Sequence, residues 1–232
     1  MTNRPYVLLS VAMSVDGCID DTTGDRLILS NEADFDEVDQ IRAESDAIMI
    51  GATTLRRDNP RLLVKGPERR AARVARGEPE YPLKVTITAS GNLDPELKFW
   101  HYGGAKLVYT TDAAAPLVRE RLGELAGVAS TGEHVDMAAI LDDLGERGIR
   151  RLMVEGGGSI HTQFLAAGLA DEIRCAVAPF FLGDPTAPRF VQPATFANGP
   201  GQRMVLDRVE AVGDMAVLHY LPAATPGARS AA

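Results

Sequence analysis

Positive charge is in deficit: 24 Lys and Arg stand against 32 Asp and Glu, a formal net charge of −8 over 232 residues. A nucleic acid or an anionic membrane surface needs a concentrated basic face, so no partner of either kind is expected, and a small soluble ligand is. Cysteine is scarce as well: Cys18 and Cys175 alone make no disulfide scaffold and read as free thiols. The four histidines, His101, His134, His161 and His219, stand apart in sequence without metal-ligand spacing, and no metal is expected. Residues 1–5 run directly into a strand-like stretch, without a basic segment, a long apolar run or a small-residue cleavage site. A cytoplasmic protein is the expectation. Nor does any Ser/His/Asp or Cys/His set assemble into a covalent hydrolase, so the chemistry is expected to come from a cofactor.

With 45% hydrophobic residues the chain has enough to bury one substantial core, and nothing in it marks a linker. The expectation is a single domain over residues 1–221 with a disordered tail, 222–232. Apolar, β-branched runs recur at Tyr6–Val11, Ala47–Gly51, Leu83–Ala89, Ala105–Thr111, Arg151–Glu155 and Glu172–Phe181, several separated by segments of helical period. Met137, Ile140, Leu141 and Leu144 fall on one helical face, with Gly148 as the stop. Met204–Val209 and Met215–Leu221 flank Ala211-Val212-Gly213-Asp214 as a closing hairpin. The pattern is an α/β fold with a mixed, mostly parallel sheet flanked by helices and a C-terminal antiparallel hairpin. The segment 65–82, rich in Arg, Glu, Gly and Pro, reads as a solvated loop whose Arg69, Arg70, Arg73 and Arg76 serve solvation before any ligand.

The stretch Leu152-Met153-Val154-Glu155-Gly156-Gly157-Gly158-Ser159-Ile160-His161-Thr162-Gln163-Phe164 passes from an apolar strand through three glycines into an amphipathic helix. Backbone N–H groups at such a helix start can meet a phosphate without side chains in the way, although a tight strand-to-helix turn has the same composition. Ser159 is the expected cap of that helix. The spacing is neither the GxGxxG fingerprint nor a P-loop, which disfavours ATP hydrolysis. Three further groups stand out: Ser14-Val15-Asp16-Gly17, where a tight turn accounts for Asp16 and Gly17; Gly51-Ala52-Thr53-Thr54 with Asp58-Asn59-Pro60-Arg61-Leu62; and two strands that end in Ser90 and in Thr110-Thr111. In open α/β sheets ligands lie beyond the carboxyl ends of the strands, where Thr54 and Asp58 are expected.

Taken in order, Ser14-Val15-Asp16-Gly17, Arg42-Ala43, Gly51 to Thr54, Asp58 to Leu62, Val154 to Gly158, Gly168-Leu169-Ala170-Asp171-Glu172, Ala178-Pro179 and Leu182-Gly183 resemble the riboflavin-pathway reductases. These are the C-terminal reductase domain of the bacterial bifunctional riboflavin enzyme and its stand-alone archaeal and fungal relatives, and the resemblance spans roughly residues 5 to 221. It implies a dihydrofolate-reductase-like fold, a homodimer, NADPH as cofactor, and reduction of the ribosyl group of a phosphoribosylamino-pyrimidine to ribityl. No zinc-deaminase signature is present, so a stand-alone reductase is expected, and Ser10 to Ser14 is closer to the archaeal type.

Carried over by position, the resemblance implies cofactor contacts from Ala12, Thr54, Asp58, Ser90, Thr110 and the turn Gly156, Gly157, Gly158, Ser159, Ile160 to Gln163. It implies substrate contacts from Ser14, Arg42, Arg61, Leu62, Lys65 and Glu155, the cations toward the sugar phosphate and Glu155 toward pyrimidine N–H groups. Asp58 is the candidate catalytic group, able to stabilise an iminium or relay a proton; a turn carboxylate in Asp-Asn-Pro is the alternative. Relatives often have Asp-Ser where this chain has Thr88-Ala89-Ser90, a change at the expected 2′-phosphate contact. Two other functions share this pattern: reduction of dihydrofolate or of a natural-product pterin, and nucleotide binding without catalysis.

Overall fold

The structure, a computed structural model, describes residues 3–23 and 27–223. In chain order its elements are β1 (Tyr6–Ser14), α1 (Glu32–Glu44), β2 (Ala47–Gly51), α2 (Ala52–Asp58), α3 (Pro67–Ala75), β3 (Leu83–Ile87), α4 (Lys98–His101), β4 (Lys106–Thr110), α5 (Ala115–Leu122), β5 (Gly127–Ser130), α6 (Met137–Glu146), β6 (Arg151–Gly156), α7 (Gly158–Ala166), β7 (Glu172–Ala178), β8 (Val205–Val212) and β9 (Met215–Leu221). The described chain gathers into two compact units, one built on Asp36–Glu155 and the residues through Tyr6, the other on Val7–Phe35 and the chain from Gly156 onward. Of the tail expected from 222, residues 224–232 lie outside the described residues.

In the first unit the strand order is β5-β4-β3-β2-β6. β2, β3, β4 and β5 pair in parallel, with Ala47 opposite Leu83, Ile87 opposite Tyr109 and Thr110 opposite Ser130. All five residues of β2 are buried, as expected of a parallel strand with both faces covered. One carboxylate aligns several strand starts: Asp46 Oδ2 accepts the N–H groups of Arg150 and Arg151 at 2.8 and 2.9 Å, while its carbonyl accepts from Leu83 at 2.9 Å. The core joins Ile48, Ile50, Leu55, Leu62, Val108 and Val118 to Phe99 and Trp100, whose rings meet edge-to-face at 4.8 Å. Met137, Ile140, Leu141 and Leu144 of α6 are buried as their spacing predicts, and Asp136 caps that helix through the N–H groups of Ala138 and Ala139. β5 escapes a sequence reading because Gly127-Val128-Ala129-Ser130 offers small residues on an edge position and almost no apolar pattern.

The segment 65–82 corrects the expectation of a solvated loop, because Pro67–Ala75 is helical. Pro67 starts the helix, where its missing N–H costs nothing, and the Ala and Arg that follow are strong helix formers. Its arginines are committed to the protein. Arg73 is 1% exposed and donates to the carbonyls of Ala43, Ser45 and Pro79, which ties α3 to the end of α1. Arg69 bridges Asp36 and Asp39, Arg70 pairs with Glu80, and Arg76 pairs with Glu78.

The second unit has the order β1-β7-β9-β8, with β1 and β7 parallel and β9 antiparallel to both β7 and β8. Gly213, at φ +64°, and Asp214 form the expected hairpin turn. Asn31 accepts the N–H of Asp34 in the first turn of α1 and donates to Val212 O and Asp214 Oδ1 of the hairpin. A fully buried ion pair, Arg174–Asp34 at 2.6 Å, lies in the same unit. Cys18 and Cys175 are buried and unpaired, as expected. β7 is hydrogen-bonded along both edges, so the free edge of the unit is β8, where Val205, Leu206 and Val209 are exposed. Among the described residues no helix is long and apolar enough to cross a membrane.

Arg73→Leu strands three carbonyl groups at the end of α1 and around Pro79, and the expected loss is about 3 kcal/mol of unfolding free energy, measured by urea denaturation.

Candidate functional site

Arg42 reaches this site from the last turn of α1 and Glu155 from the end of β6. The two meet as a bidentate ion pair, Nε to Oε1 and Nη2 to Oε2 at 2.5 Å each, with side chains only 17% and 14% exposed. The remaining nitrogen, Nη1, donates to Leu63 O at 3.1 Å. Burial works to lower the Arg42 pKa, but the charge and hydrogen bonds of Glu155 outweigh it and the pKa is raised. Two residues expected to touch substrate separately therefore stand as one group. Three of the five guanidinium N–H groups go to Glu155 and Leu63, while each carboxylate oxygen keeps an outer lone pair.

The segment that follows α2 is held in an unusual backbone path. Asn59 caps the helix in the left-handed region, a conformation asparagine tolerates, and its Oδ1 accepts from Lys98 N at 2.7 Å. Leu62 also has positive φ, +51°, which is strained for a bulky side chain, and its side chain is buried in the first unit's core. Lys84 Nζ donates to Arg61 O at 3.0 Å. Farther on, Asp39 accepts the N–H groups of Lys65 and Gly66 at 2.5 and 2.9 Å. Burial would raise the Asp39 pKa, but these bonds and Arg69 lower it below the usual carboxylate range. Asp58 sits half-buried at the end of α2, and the Arg61 and Lys65 side chains are exposed, Arg61 stacked 4.7 Å above the Tyr102 ring.

Thr54 is half-buried on α2. Ser90 is exposed and its Oγ accepts from Asn92 N at 3.3 Å. Thr110, in contrast, is fully buried, and its hydroxyl has no hydrogen-bond partner among the described residues. Thr111 accepts the N–H of Ala114, the N-cap residue of α5, and so does not cap that helix itself. Two arginines absent from the sequence-based set converge on this turn: Arg56 donates to Asn92 O at 2.9 Å and Arg121 to Asn92 Oδ1 at 3.4 Å. The only sequence signal is their helical positions on α2 and α5, because their convergence depends on the order β4-β3-β2.

In the second unit the glycine turn leads into α7. Gly156 and Gly157 have φ of +141° and +50°, and a Cβ on Gly158 would stand 2.3 Å from Arg189 O, so none of the three tolerates a side chain. Helix α7 begins at Gly158 with Gly157 as N-cap and no side-chain cap, which corrects the expectation for Ser159. Ser159 lies in the first turn, where its Oγ accepts from Gln163 instead. The N–H groups of Ile160 and His161 bond to Gly157 O, leaving those of Gly158 and Ser159 as the donors without an acceptor within the helix. A nine-residue helix that starts on such a bare cradle suits the pyrophosphate of a dinucleotide. Ile160 is buried and Gln163 exposed. Ala12 packs beside Ala176, Ala178, Met215 and Val217. Ser14 is wholly buried: it donates to Asp16 Oδ1 at 2.6 Å and accepts from Cys18 N at 3.1 Å, so its hydroxyl builds the turn rather than facing a substrate. Asp16 also accepts from Leu182 and Gly183, and the bond from Ser14 together with these backbone N–H groups draws its pKa down to about 2.

His161, one turn into α7, is 0% exposed and both ring nitrogens lack partners among the described residues. Burial pushes its pKa down to about 4, so the folded protein holds a neutral ring. Because the folded pKa lies below the ordinary 6.5, the contribution is complete above about pH 6.5 and is lost as pH falls toward 4. The loss is on the order of 3 kcal/mol. The expected result is a melting temperature that drops across this window, and a flatter profile in His161→Leu, which also removes two unsatisfied polar atoms.

Residues 5–218 match the RibD C-terminal domain family. The chain is 35% identical over 212 residues to the 2,5-diamino-6-ribosylamino-4(3H)-pyrimidinone 5′-phosphate reductase of Archaeoglobus fulgidus, covering 91% of this chain and 95% of that protein. It is 32% identical over 228 residues to the protein of the same name from Methanothermobacter thermautotrophicus, covering 94% and 98%. Among solved structures, RibD of Acinetobacter baumannii superposes with a TM-score of 0.77 at 25% identity, covering 96% of this chain and 59% of that one. The chain thus spans nearly the whole of the archaeal relatives and little more than half of RibD. Reductases of this kind draw hydride from a nicotinamide cofactor, and the chain belongs to the RibD C-terminal domain family, the reductases of riboflavin biosynthesis.

Proposed function

We propose that residues 1–221 act as one reductase that converts the ribosyl group of 2,5-diamino-6-ribosylamino-4(3H)-pyrimidinone 5′-phosphate to ribityl with NADPH. The Arg42–Glu155 pair is the observation that carries this reading: Arg42 holds the carboxylate in a fixed orientation, and its outer lone pairs suit the amino and ring N–H groups of a diaminopyrimidine. Arg61 and Lys65, exposed on the pinned segment, supply charge for the sugar phosphate, and Leu62, buried in the core between them, anchors that segment. Asp58 is assigned the proton transfers that open the ribosyl ring and stabilise the resulting cation. In the second unit the Gly158 and Ser159 N–H groups take the pyrophosphate, and Ala12 is assigned to the same cofactor. Arg56, Arg121 and Ser90 on the 88–92 turn favour a 2′-phosphate, hence NADPH over NADH. The bound nicotinamide supplies the hydride, and the residues supply alignment.

Oxidation of NADPH, followed by loss of absorbance with the diamino substrate, its deaminated counterpart and dihydrofolate offered separately, tests the reading. Turnover of the diamino compound is expected; turnover of dihydrofolate alone, or of none, overturns it, and preference for the deaminated compound moves the substrate assignment to the RibD type. Glu155→Gln is expected to raise the pyrimidine KM about tenfold with little change in NADPH affinity, and Arg56→Ala to raise the KM for NADPH but not for NADH. The exposed apolar side chains of β8 make a second copy of the chain the expected partner, and sedimentation should report twice 24.8 kDa.

A further inference from the structure

Lys84 is a buried lysine near the start of a parallel strand. It sits on β3, 1% exposed, between Leu83 and Val85. No carboxylate pairs with it among the described residues. Its ammonium donates instead to two backbone carbonyls, Arg61 O at 3.0 Å and Phe99 O, and lies 4.4 Å from the centre of the Phe99 ring. Burial, with repulsion from Lys106, draws its pKa down to about 7. Burying an amine without a counter-ion is costly, and a methionine would fill the same space without that cost.

The carbonyl it holds belongs to the residue just before the strained Leu62. Neighbouring points of the same segment are fixed by other groups: Asn59 by Lys98 N, Leu63 by Arg42, and Lys65 and Gly66 by Asp39. Between Asn59 and Leu63, Lys84 tethers the backbone at Arg61 O, immediately before the residue whose φ is unfavourable. A strained conformation persists only where its surroundings over-determine it.

We propose that Lys84 is a positioning residue: by binding the carbonyls of Arg61 and Phe99 it holds the left-handed path at Leu62, and so presents the Arg61 and Lys65 cations to the phosphate of the substrate. The proposal rests on the reading that this segment binds the phosphorylated pyrimidine. Lys84→Met keeps the volume and removes the donors; Lys84→Arg keeps donors and charge.

The experiment combines hydrogen exchange of residues 58–66 in the unliganded protein with steady-state kinetics. In Lys84→Met, amide exchange over 58–66 is expected to rise at least tenfold relative to β2, the KM for the pyrimidine phosphate to rise about tenfold, and kcat and NADPH affinity to stay within twofold. Lys84→Arg should restore most of both. Unchanged exchange over 58–66 in folded Lys84→Met overturns the proposal, as does raised exchange with an unaltered KM. If the wild-type protein turns over no pyrimidine phosphate, the functional reading fails, and the exchange measurement still decides whether Lys84 holds the segment.

Discussion

The first unit depends on how Arg42 disposes of its three side-chain nitrogens. Two go to Glu155 in a bidentate pair and the third to Leu63 O, so one guanidinium connects the end of α1, the end of β6 and the segment after α2. The geometry requires arginine: a lysine ammonium is a point charge without the planar fork that engages a carboxylate and a carbonyl at once. A pair this sheltered is also stable only while complete, because either charge alone would be buried without compensation.

Buried cations that bind carbonyl oxygens recur in the same unit. Arg73 gathers the carbonyls of Ala43, Ser45 and Pro79, and Lys84 those of Arg61 and Phe99. In each case the carbonyls lie where the chain leaves regular structure and has no ladder partner to offer. Satisfying them with a side chain from another element lets an irregular connection be rigid, as a segment carrying binding groups has to be. The second unit achieves its irregular turn by removing side chains: three glycines and the close approach of Arg189 O shape the start of α7.

Much of this was legible in the residues. Six of the strands follow from apolar runs, and the hairpin from Gly213-Asp214 between two alternating segments. The face of α6 follows from Met137, Ile140, Leu141 and Leu144, and the glycine turn from its composition. The failures have a common cause. Helix α3 was hidden because its amino acids, mostly charged, look like a solvated loop until Arg73 is found buried against carbonyls thirty residues away. β5 was hidden because an edge strand of small residues needs no apolar pattern. Ser14 and Ser159 carry hydroxyls suited to a ligand, yet neighbours in the fold claim them first.

The sequence by itself determined the alternation of strands and helices, the glycine-rich helix start and the identity of the charged groups, because side-chain period and backbone freedom are local properties. Only the tertiary structure decided which of those charges are spent. Arg42 and Glu155 are 113 residues apart and Lys84 is 23 from Arg61, and no local rule pairs them. Whether a cation faces solvent, a carboxylate or a carbonyl depends on which chain segment arrives beside it, and that is settled by the order of strands in the sheet and the burial it imposes.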